Sequence, residues 1–138
     1  MAILHLTRKE HFNAAHRLWN DRWSEEKNNE VFGKCANPHF HGHNFDLHIS
    51  VKGTPDPDTG CIINLKDLKK IIHKEILEEL DHKNLNIEVK WLSHCIPSIE
   101  NMAISIWQRL LPHLPQGVEL SKIVLWETHN NYVEYYGE

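Results

Sequence analysis

The chain has 138 residues, of which 41% are apolar and 25% are charged, and this length and composition predict one globular domain over residues 1–138. The formal charge of −4 argues against a broad basic surface for nucleic acid. Because no apolar run is long enough for a signal peptide or a membrane span, we expect a cytoplasmic protein with no membrane partner.

Cysteine and histidine content gives the first functional indication. The three cysteines, Cys35, Cys61 and Cys95, form an odd set, which disfavours a disulfide framework and favours a role as free thiols. Twelve histidines in 138 residues are unusual. Since imidazole both titrates near neutrality and binds transition metals, this composition points to a site.

The first half of the chain predicts two strands. Residues 3–18 alternate so that Phe12, Ala14 and His16 share one face, with a turn or bulge expected near residues 8–11. Residues 20–34 are polar and irregular, and we expect a long surface loop there. Residues 44–52 alternate strictly between apolar and polar side chains, which predicts a half-buried strand.

The second half predicts two helices and two strands. After the turn-rich residues 53–60, a helix is expected from Asn64, its N-cap, with an apolar stripe at intervals of three and four. Another begins after Pro97, with Ser98 as its N-cap, and stops at Pro112 and Pro115. Strands at roughly residues 118–128 and 131–136, joined by a hairpin turn, complete an α+β order of ββααββ.

His41 and His43 flank Gly42, and a spacing of two places both imidazoles on one face of a strand. That face also carries Phe45, so each ring needs a hydrogen-bond partner or a metal ion. His16 has the inward parity of its own strand and could supply a third ligand if the two strands pair, leaving a fourth zinc position open. A His-x-His pair also occurs by chance in a histidine-rich chain, and spacing alone does not join His16 to it.

Two further features could carry proton chemistry. Cys35 precedes His41 closely and follows Lys34, so it could act as a thiolate or be an ordinary loop cysteine. Asp81 and His82 end the first helix; an adjacent carboxylate and imidazole can shuttle a proton, although such a pair is more often a charged helix terminus.

Glu127 follows an apolar stretch, where a carboxylate needs a cation or a pair of donors. It could accept two parallel N–H bonds from a guanidine-like ligand edge, or form a salt bridge with a sheet neighbour. Glu100 lies in the first turn of the second helix, where the helix dipole alone could explain it.

Six segments in this order resemble the 6-pyruvoyltetrahydropterin synthase family over nearly the full chain. The segments are FNAAHRL, FGKCANPHFHGHN, DPDTGCIINLKDLK, LDHKNLN, PSIEN and WETHNN. The resemblance implies a T-fold, in which a four-stranded antiparallel sheet carries two helices on one face. Three subunits would close a barrel and two trimers would stack into a homohexamer, with sites between subunits.

The same resemblance implies residue roles. His16, His41 and His43 would bind zinc, Cys35 would be the catalytic thiol, and Asp81 with His82 would relay protons. Glu127 would anchor the pterin, with Ser98 and Glu100 contributing at the same pocket.

The implied reaction is that of a carbon–oxygen lyase, which converts 7,8-dihydroneopterin triphosphate to 6-pyruvoyltetrahydropterin with loss of triphosphate, as in tetrahydrobiopterin biosynthesis. An alternative is the queuosine branch, which forms 6-carboxytetrahydropterin and acetaldehyde. The five residues between Cys35 and His41 favour the pyruvoyl branch, whereas His129 and Ile99 depart from its usual pattern. A second alternative is a zinc-binding T-fold protein without catalysis.

Overall fold

The computed structural model describes all residues 1–138 and contains five strands and a helical layer. In chain order the elements are β1 (Leu4–His16), α1 (Glu25–Phe32), β2 (His41–Gly53), α2 (Leu65–Ile72), α3 (Glu78–Leu80), β3 (Lys83–Asn84), α4 (Ile99–Leu110), β4 (Glu119–Trp126) and β5 (Tyr132–Tyr135). A π-helical segment (His73–Leu77) joins α2 to α3 without a break. The expected ββααββ order is therefore present, with α1 and the two-residue β3 added.

The strands form one sheet in the order β3-β1-β2-β4-β5. All neighbouring strands are antiparallel except β3, which pairs in parallel with β1 at Ala14 and Ala15. Most of β1 before this point therefore lies on an edge of the sheet, and β5 forms the other edge.

One face of the sheet packs against α2, α3 and α4 and forms the core. Its strands contribute buried residues at alternate positions, and the helices contribute the buried stripe that the sequence predicts. Phe12 and Phe45 stack on this face with ring centroids 4.9 Å apart, and the rings of His16 and His43 pack against Phe45. None of the helices has the length and apolar composition required to cross a membrane.

Two sequence-based expectations about local structure are wrong. The bulge expected near residues 8–11 is absent, because β1 pairs with β2 without interruption from Leu4 to His16. A bulge occurs instead in β4 at Ser121, which has no partner between the Ser50–Lys122 and Val51–Leu120 pairs. Residues 20–34 are also not all loop, since they contain α1.

Polar side chains begin the helices. Asn64 accepts a hydrogen bond from the Lys66 N–H, and Ser98 accepts one from the Asn101 N–H, as the sequence predicts for N-caps. Ser24, which the sequence analysis passed over, caps α1 by accepting from the Lys27 N–H. The start of α4 is thus fixed at Ser98, directly after Pro97.

Candidate active site

The pairing of β1 with β2 brings the three predicted ligands together. His16 lies directly opposite His41 in the antiparallel ladder, and His43 follows two positions later on the same face. Ring centroids in this histidine triad (His16, His41 and His43) are 4.7 to 5.2 Å apart. One potential ligand atom from each ring lies within 4.8 Å of the others.

The triad contains three buried nitrogens without hydrogen-bond partners. These are Nε2 of His16, Nδ1 of His41 and Nε2 of His43. A buried polar group left unsatisfied costs about 1–3 kcal/mol, so three in contact with one another would be an expensive structural feature. A shared cation would satisfy all three at once.

A hydrogen bond to Nδ1 of His16 determines which ring nitrogen could bind such a cation. The carbonyl oxygen of Pro97 lies 2.7 Å from Nδ1 of His16. Because a carbonyl can only accept, Nδ1 carries the proton and Nε2 of the neutral ring presents a lone pair. The ring that contacts Pro97 is thereby oriented for coordination.

Burial favours the neutral form of His16 and His41. It lowers the pKa of His16 to about 4, although the hydrogen bond to Pro97 opposes the shift. Burial also lowers the pKa of His41, and the neighbouring His43 adds to the effect. Metal ligation requires neutral imidazole, so His16 and His41 are in the required state at neutral pH. The triad could therefore bind a metal ion, and its nitrogen donors suit zinc among other transition metals.

Glu127 faces the triad from the end of β4. Its carboxylate oxygens lie 3.9 Å from Nε2 of His16 and 3.8 Å from Nε2 of His43, just beyond hydrogen-bond distance. A cavity of about 760 Å³ opens beside it, lined in part by His43, Asn44, Asp46, Trp126 and Glu127. This carboxylate is 23% exposed and can meet a ligand that enters the cavity.

Cys35 lies in a 3-10 turn (Gly33–Ala36) that contacts the end of β1. The Leu18 N–H donates to the carbonyl oxygen of Cys35 at 2.8 Å, which brings the thiol-bearing residue beside the strand that carries His16. Cys35 is a free, half-buried cysteine. Cys35 therefore lies beside the end of β1, close to His16, but its thiol is not one of the potential ligand atoms that cluster in the triad.

Asp81 and His82 lie apart from the triad, at the outer edge of β1. Asp81 accepts a hydrogen bond from the Asn13 N–H at 2.9 Å, and His82 Nδ1 lies 3.0 Å from the other Asp81 oxygen. Asn13 precedes His16 by three residues, which corresponds to about 10 Å along a strand. The His82 side chain is 80% exposed, so the pair faces outward from this subunit.

Ser98 and Glu100 occupy the first turn of α4. The Ser98 hydroxyl is used in capping, and Ser98 follows the Pro97 carbonyl that contacts His16. Glu100 is exposed and forms no ion pair. Ser98 is therefore close to the triad through its neighbour, whereas nothing in the subunit links Glu100 to it.

Comparison with known proteins identifies the family. The family model described as 6-pyruvoyl tetrahydropterin synthase matches residues 5–138. The chain belongs to this family. A 6-pyruvoyl tetrahydrobiopterin synthase from Pongo abelii is 45% identical over 96% of this chain and 91% of its own length, and that from Homo sapiens is 44% identical over the same shares.

A solved structure supports the same conclusion for the fold. The structure of Caenorhabditis elegans 6-pyruvoyl tetrahydropterin synthase matches with a TM-score of 0.94 at 34% identity, covering 100% of this chain and 98% of that one. The expected α+β T-fold and the expected lyase class are thereby confirmed. The family resemblance read from the motifs is also confirmed.

Sequence reasoning missed two residues, Pro97 and Asn86, that support the site. Pro97 was identified only as a helix boundary, and its role depends on a carbonyl group that every residue has. Asn86 was missed although it lies in the quoted LDHKNLN segment; its side chain pairs with both backbone groups of Arg17. The segment from Asp81 to Asn86 thus follows the edge of β1.

Proposed function

We propose that this chain is a zinc-dependent lyase that converts 7,8-dihydroneopterin triphosphate to 6-pyruvoyltetrahydropterin with release of triphosphate. The observation that carries the proposal is the triad of buried, unpartnered nitrogens in a chain of the 6-pyruvoyl tetrahydropterin synthase family. Relatives that cover nearly the whole chain are named for the corresponding synthase activity.

His16, His41 and His43 would hold the zinc ion. Bound zinc supplies Lewis-acid chemistry that polarises substrate oxygens. Three nitrogen ligands from the chain leave a position for substrate, as in catalytic rather than structural zinc sites. The Pro97 carbonyl would keep His16 in the ligating tautomer throughout, since it can pair only with a protonated Nδ1.

Glu127 would orient the substrate. Its carboxylate lies beside the triad and on the cavity next to His43, where it can accept two parallel hydrogen bonds from the amino and ring N–H groups of a pterin. Ser98 and Glu100 would complete the pterin pocket at the start of α4. This arrangement would place the pterin side chain toward the histidines.

Cys35 and the Asp81–His82 pair would move protons. Cys35 as thiolate would remove a proton from the substrate side chain, and His82 would exchange another while hydrogen-bonded to Asp81. His82 is largely exposed within this subunit and about 10 Å along β1 from His16, so we propose that it serves the site of a neighbouring copy.

The proposed assembly is a homohexamer formed by two trimers. The unpaired edge of β1 before Ala14 and the free edge of β5 offer backbone hydrogen-bonding groups at opposite sides of the sheet. Pairing of these edges between copies would close a barrel and remove both exposed edges.

Product analysis tests the proposed reaction. The purified chain should contain about one zinc per subunit and release triphosphate from 7,8-dihydroneopterin triphosphate, with a diketo pterin identified by mass. Acetaldehyde with a carboxypterin would assign the queuosine branch instead. Zinc binding without turnover would favour the non-catalytic alternative.

Two cysteine variants test the thiol. Cys35→Ala should abolish triphosphate release but keep zinc, whereas the matched Cys61→Ala change should retain both, because Cys61 is exposed and distant in sequence from the triad. Full activity of the Cys35→Ala variant would overturn the proposed role of the thiol.

A further inference from the structure

Arg17 links the end of β1, which carries His16, to the Gly33–Ala36 turn, which contains Cys35. It follows His16 directly, and its Nη2 donates a hydrogen bond at 2.8 Å to the carbonyl oxygen of Ala36. The next residue, Leu18, donates its N–H to the carbonyl oxygen of Cys35 at 2.8 Å. Two successive carbonyls of the turn are thus held by two successive residues of the strand end.

Arg17 is itself restrained on several sides. The side chain of Asn86 accepts from the Arg17 N–H at 2.9 Å and donates to the Arg17 carbonyl at 3.0 Å. The guanidinium carbon lies 4.0 Å from the ring centroid of Trp19 and 6.0 Å from that of Phe40. Asn86 therefore fixes the backbone of Arg17, and Trp19 and Phe40 limit the orientations of its planar head group.

The turn follows α1 directly, and the Gly33 N–H donates a hydrogen bond to the carbonyl oxygen of Asn29. It has only four residues, from Gly33 to Ala36, and Gly33 has a positive φ of 55°. Ala36, whose carbonyl oxygen accepts the hydrogen bond from Arg17, is fully buried. Arg17 and Leu18 therefore supply the hydrogen bonds that join the Cys35 turn to the end of β1.

We propose that Arg17 is a positioning residue for Cys35, holding the thiol at a set distance from the triad. This inference rests on the proposed function, in which Cys35 removes a proton from the substrate. A misplacement of a reacting group by about 1 Å can cost on the order of 100-fold in rate. The guanidinium acts through the turn and does not contact substrate.

The test compares Arg17→Met with Arg17→Lys and a matched control, Arg22→Met. Methionine keeps most of the apolar length and removes every donor, whereas lysine keeps a cation and one donor that can reach Ala36. Arg17 and Arg22 line a common cavity, but the Arg22 side chain makes no hydrogen bond and only its backbone N–H donates, to the Asn20 side chain. The control thus removes an arginine charge without removing the anchor.

Four quantities are measured on each purified variant: zinc content, KM, kcat for triphosphate release, and hydrogen exchange at Leu18. For Arg17→Met we expect unchanged zinc content, KM within about threefold, kcat lowered about 10- to 100-fold, and faster exchange of the Leu18 amide. Arg17→Lys should recover part of kcat. Arg22→Met should match the unchanged chain in all four quantities.

Other results would overturn the inference. A raised KM with unchanged kcat in Arg17→Met would make Arg17 a substrate contact, and unchanged kcat and KM would remove it from the reaction. If Arg17→Met does not fold, the same criteria apply to Asn86→Ala, which releases the backbone of Arg17 while keeping the guanidinium. Failure of the unaltered chain to release triphosphate would instead contradict the proposed function.

Discussion

The carbonyl oxygen of Pro97 accepts a hydrogen bond from Nδ1 of His16 across 81 positions of sequence. This bond couples the end of β1 to the start of α4, where Ser98 caps the helix. It also satisfies one nitrogen of a ring that is only 1% exposed and leaves the other free for ligation. His16 therefore has one nitrogen in a structural hydrogen bond and a second nitrogen that could bind a metal ion.

Substitutions at His16 can separate these two roles. Asparagine can place an amide N–H near the position of Nδ1 and donate to Pro97, but it has no atom at the position of Nε2. We expect both His16→Asn and His16→Ala to lose zinc. His16→Asn should be more stable than His16→Ala by about 1 kcal/mol, because the Pro97 carbonyl keeps a donor.

Zinc content by elemental analysis and urea unfolding of the metal-free proteins would check these expectations. His113→Ala is a suitable control, since His113 lies outside the triad and is exposed. Equal stability of the two His16 variants would show that the Pro97 bond contributes little.

The charge on Asp81 makes the free energy of unfolding depend on pH. The hydrogen bond from the Asn13 N–H lowers the pKa of Asp81 below its ordinary 3.8, and His82 assists while partial burial opposes the shift. A lowered pKa contributes stability that is present above pH 3.8 and is lost as pH falls through the folded-state pKa.

Asp81→Asn isolates this charge, because its amide oxygen can still accept from Asn13. The unaltered chain should be more stable than the variant by a constant amount, below about 1 kcal/mol for so exposed a group, between pH 7 and about pH 5. The difference should shrink below about pH 4. Parallel urea titrations at three pH values would measure it, and a difference that grows on acidification would contradict the assignment.

The sequence predicted those parts of the site that depend on local parity. Alternation placed His41 and His43 on the face of Phe45, and the structure confirms this. It could not pair His16 with His41, because 24 residues separate β1 from β2 and a long connection does not set strand register as a short hairpin does. Only the family resemblance predicted His16 as the third ligand.

The polar composition of residues 20–34 led to the wrong prediction that the whole segment is a loop. The segment has few apolar residues, which favours a loop, yet α1 forms there because Ser24 caps it and Asn28 satisfies the backbone beneath it. Satisfaction of backbone groups by one buried amide depends on tertiary geometry. Neither alternation nor a hydrophobic stripe reveals it.

Asn28 should therefore be the most sensitive position of this segment. It is fully buried; its Oδ1 accepts from the Asn20 N–H at 2.7 Å, and its amide group donates to the carbonyls of Asn20 and Ser24 at 3.0 Å. Asn28→Ala should lower the free energy of unfolding by about 1–3 kcal/mol. Asn28→Asp should cost more, since a carboxylate would face carbonyl oxygens.

The neighbouring Asn29 provides the matched control, because its side chain is exposed and makes no hydrogen bond. Asn29→Ala should change stability by less than about 0.5 kcal/mol. Chemical denaturation of Asn28→Ala, Asn28→Asp and Asn29→Ala would measure these changes in the free energy of unfolding. Similar losses at positions 28 and 29 would indicate that α1 itself, not the buried amide, stabilises the segment.

His82 adopts a left-handed backbone conformation, with φ of 61°, at the point where the chain turns from α3 onto β1. Its N–H donates to the carbonyl oxygen of Asn13 at 2.5 Å, and this bond holds the turn against the strand. Residues with a Cβ atom are strained at such φ values, whereas glycine is not. The proposed proton transfer by the imidazole would account for a non-glycine residue at this position.

Two substitutions separate the backbone requirement from the side-chain requirement. His82→Gly should be more stable than His82→Ala by about 1 kcal/mol, because only the alanine variant retains the strain at positive φ. Both variants lack the imidazole and should lose most triphosphate release while retaining zinc. Thermal unfolding combined with the activity assay tests both statements. If glycine restored activity that alanine lacked, the backbone conformation, not the ring paired with Asp81, would be the functional feature of this turn.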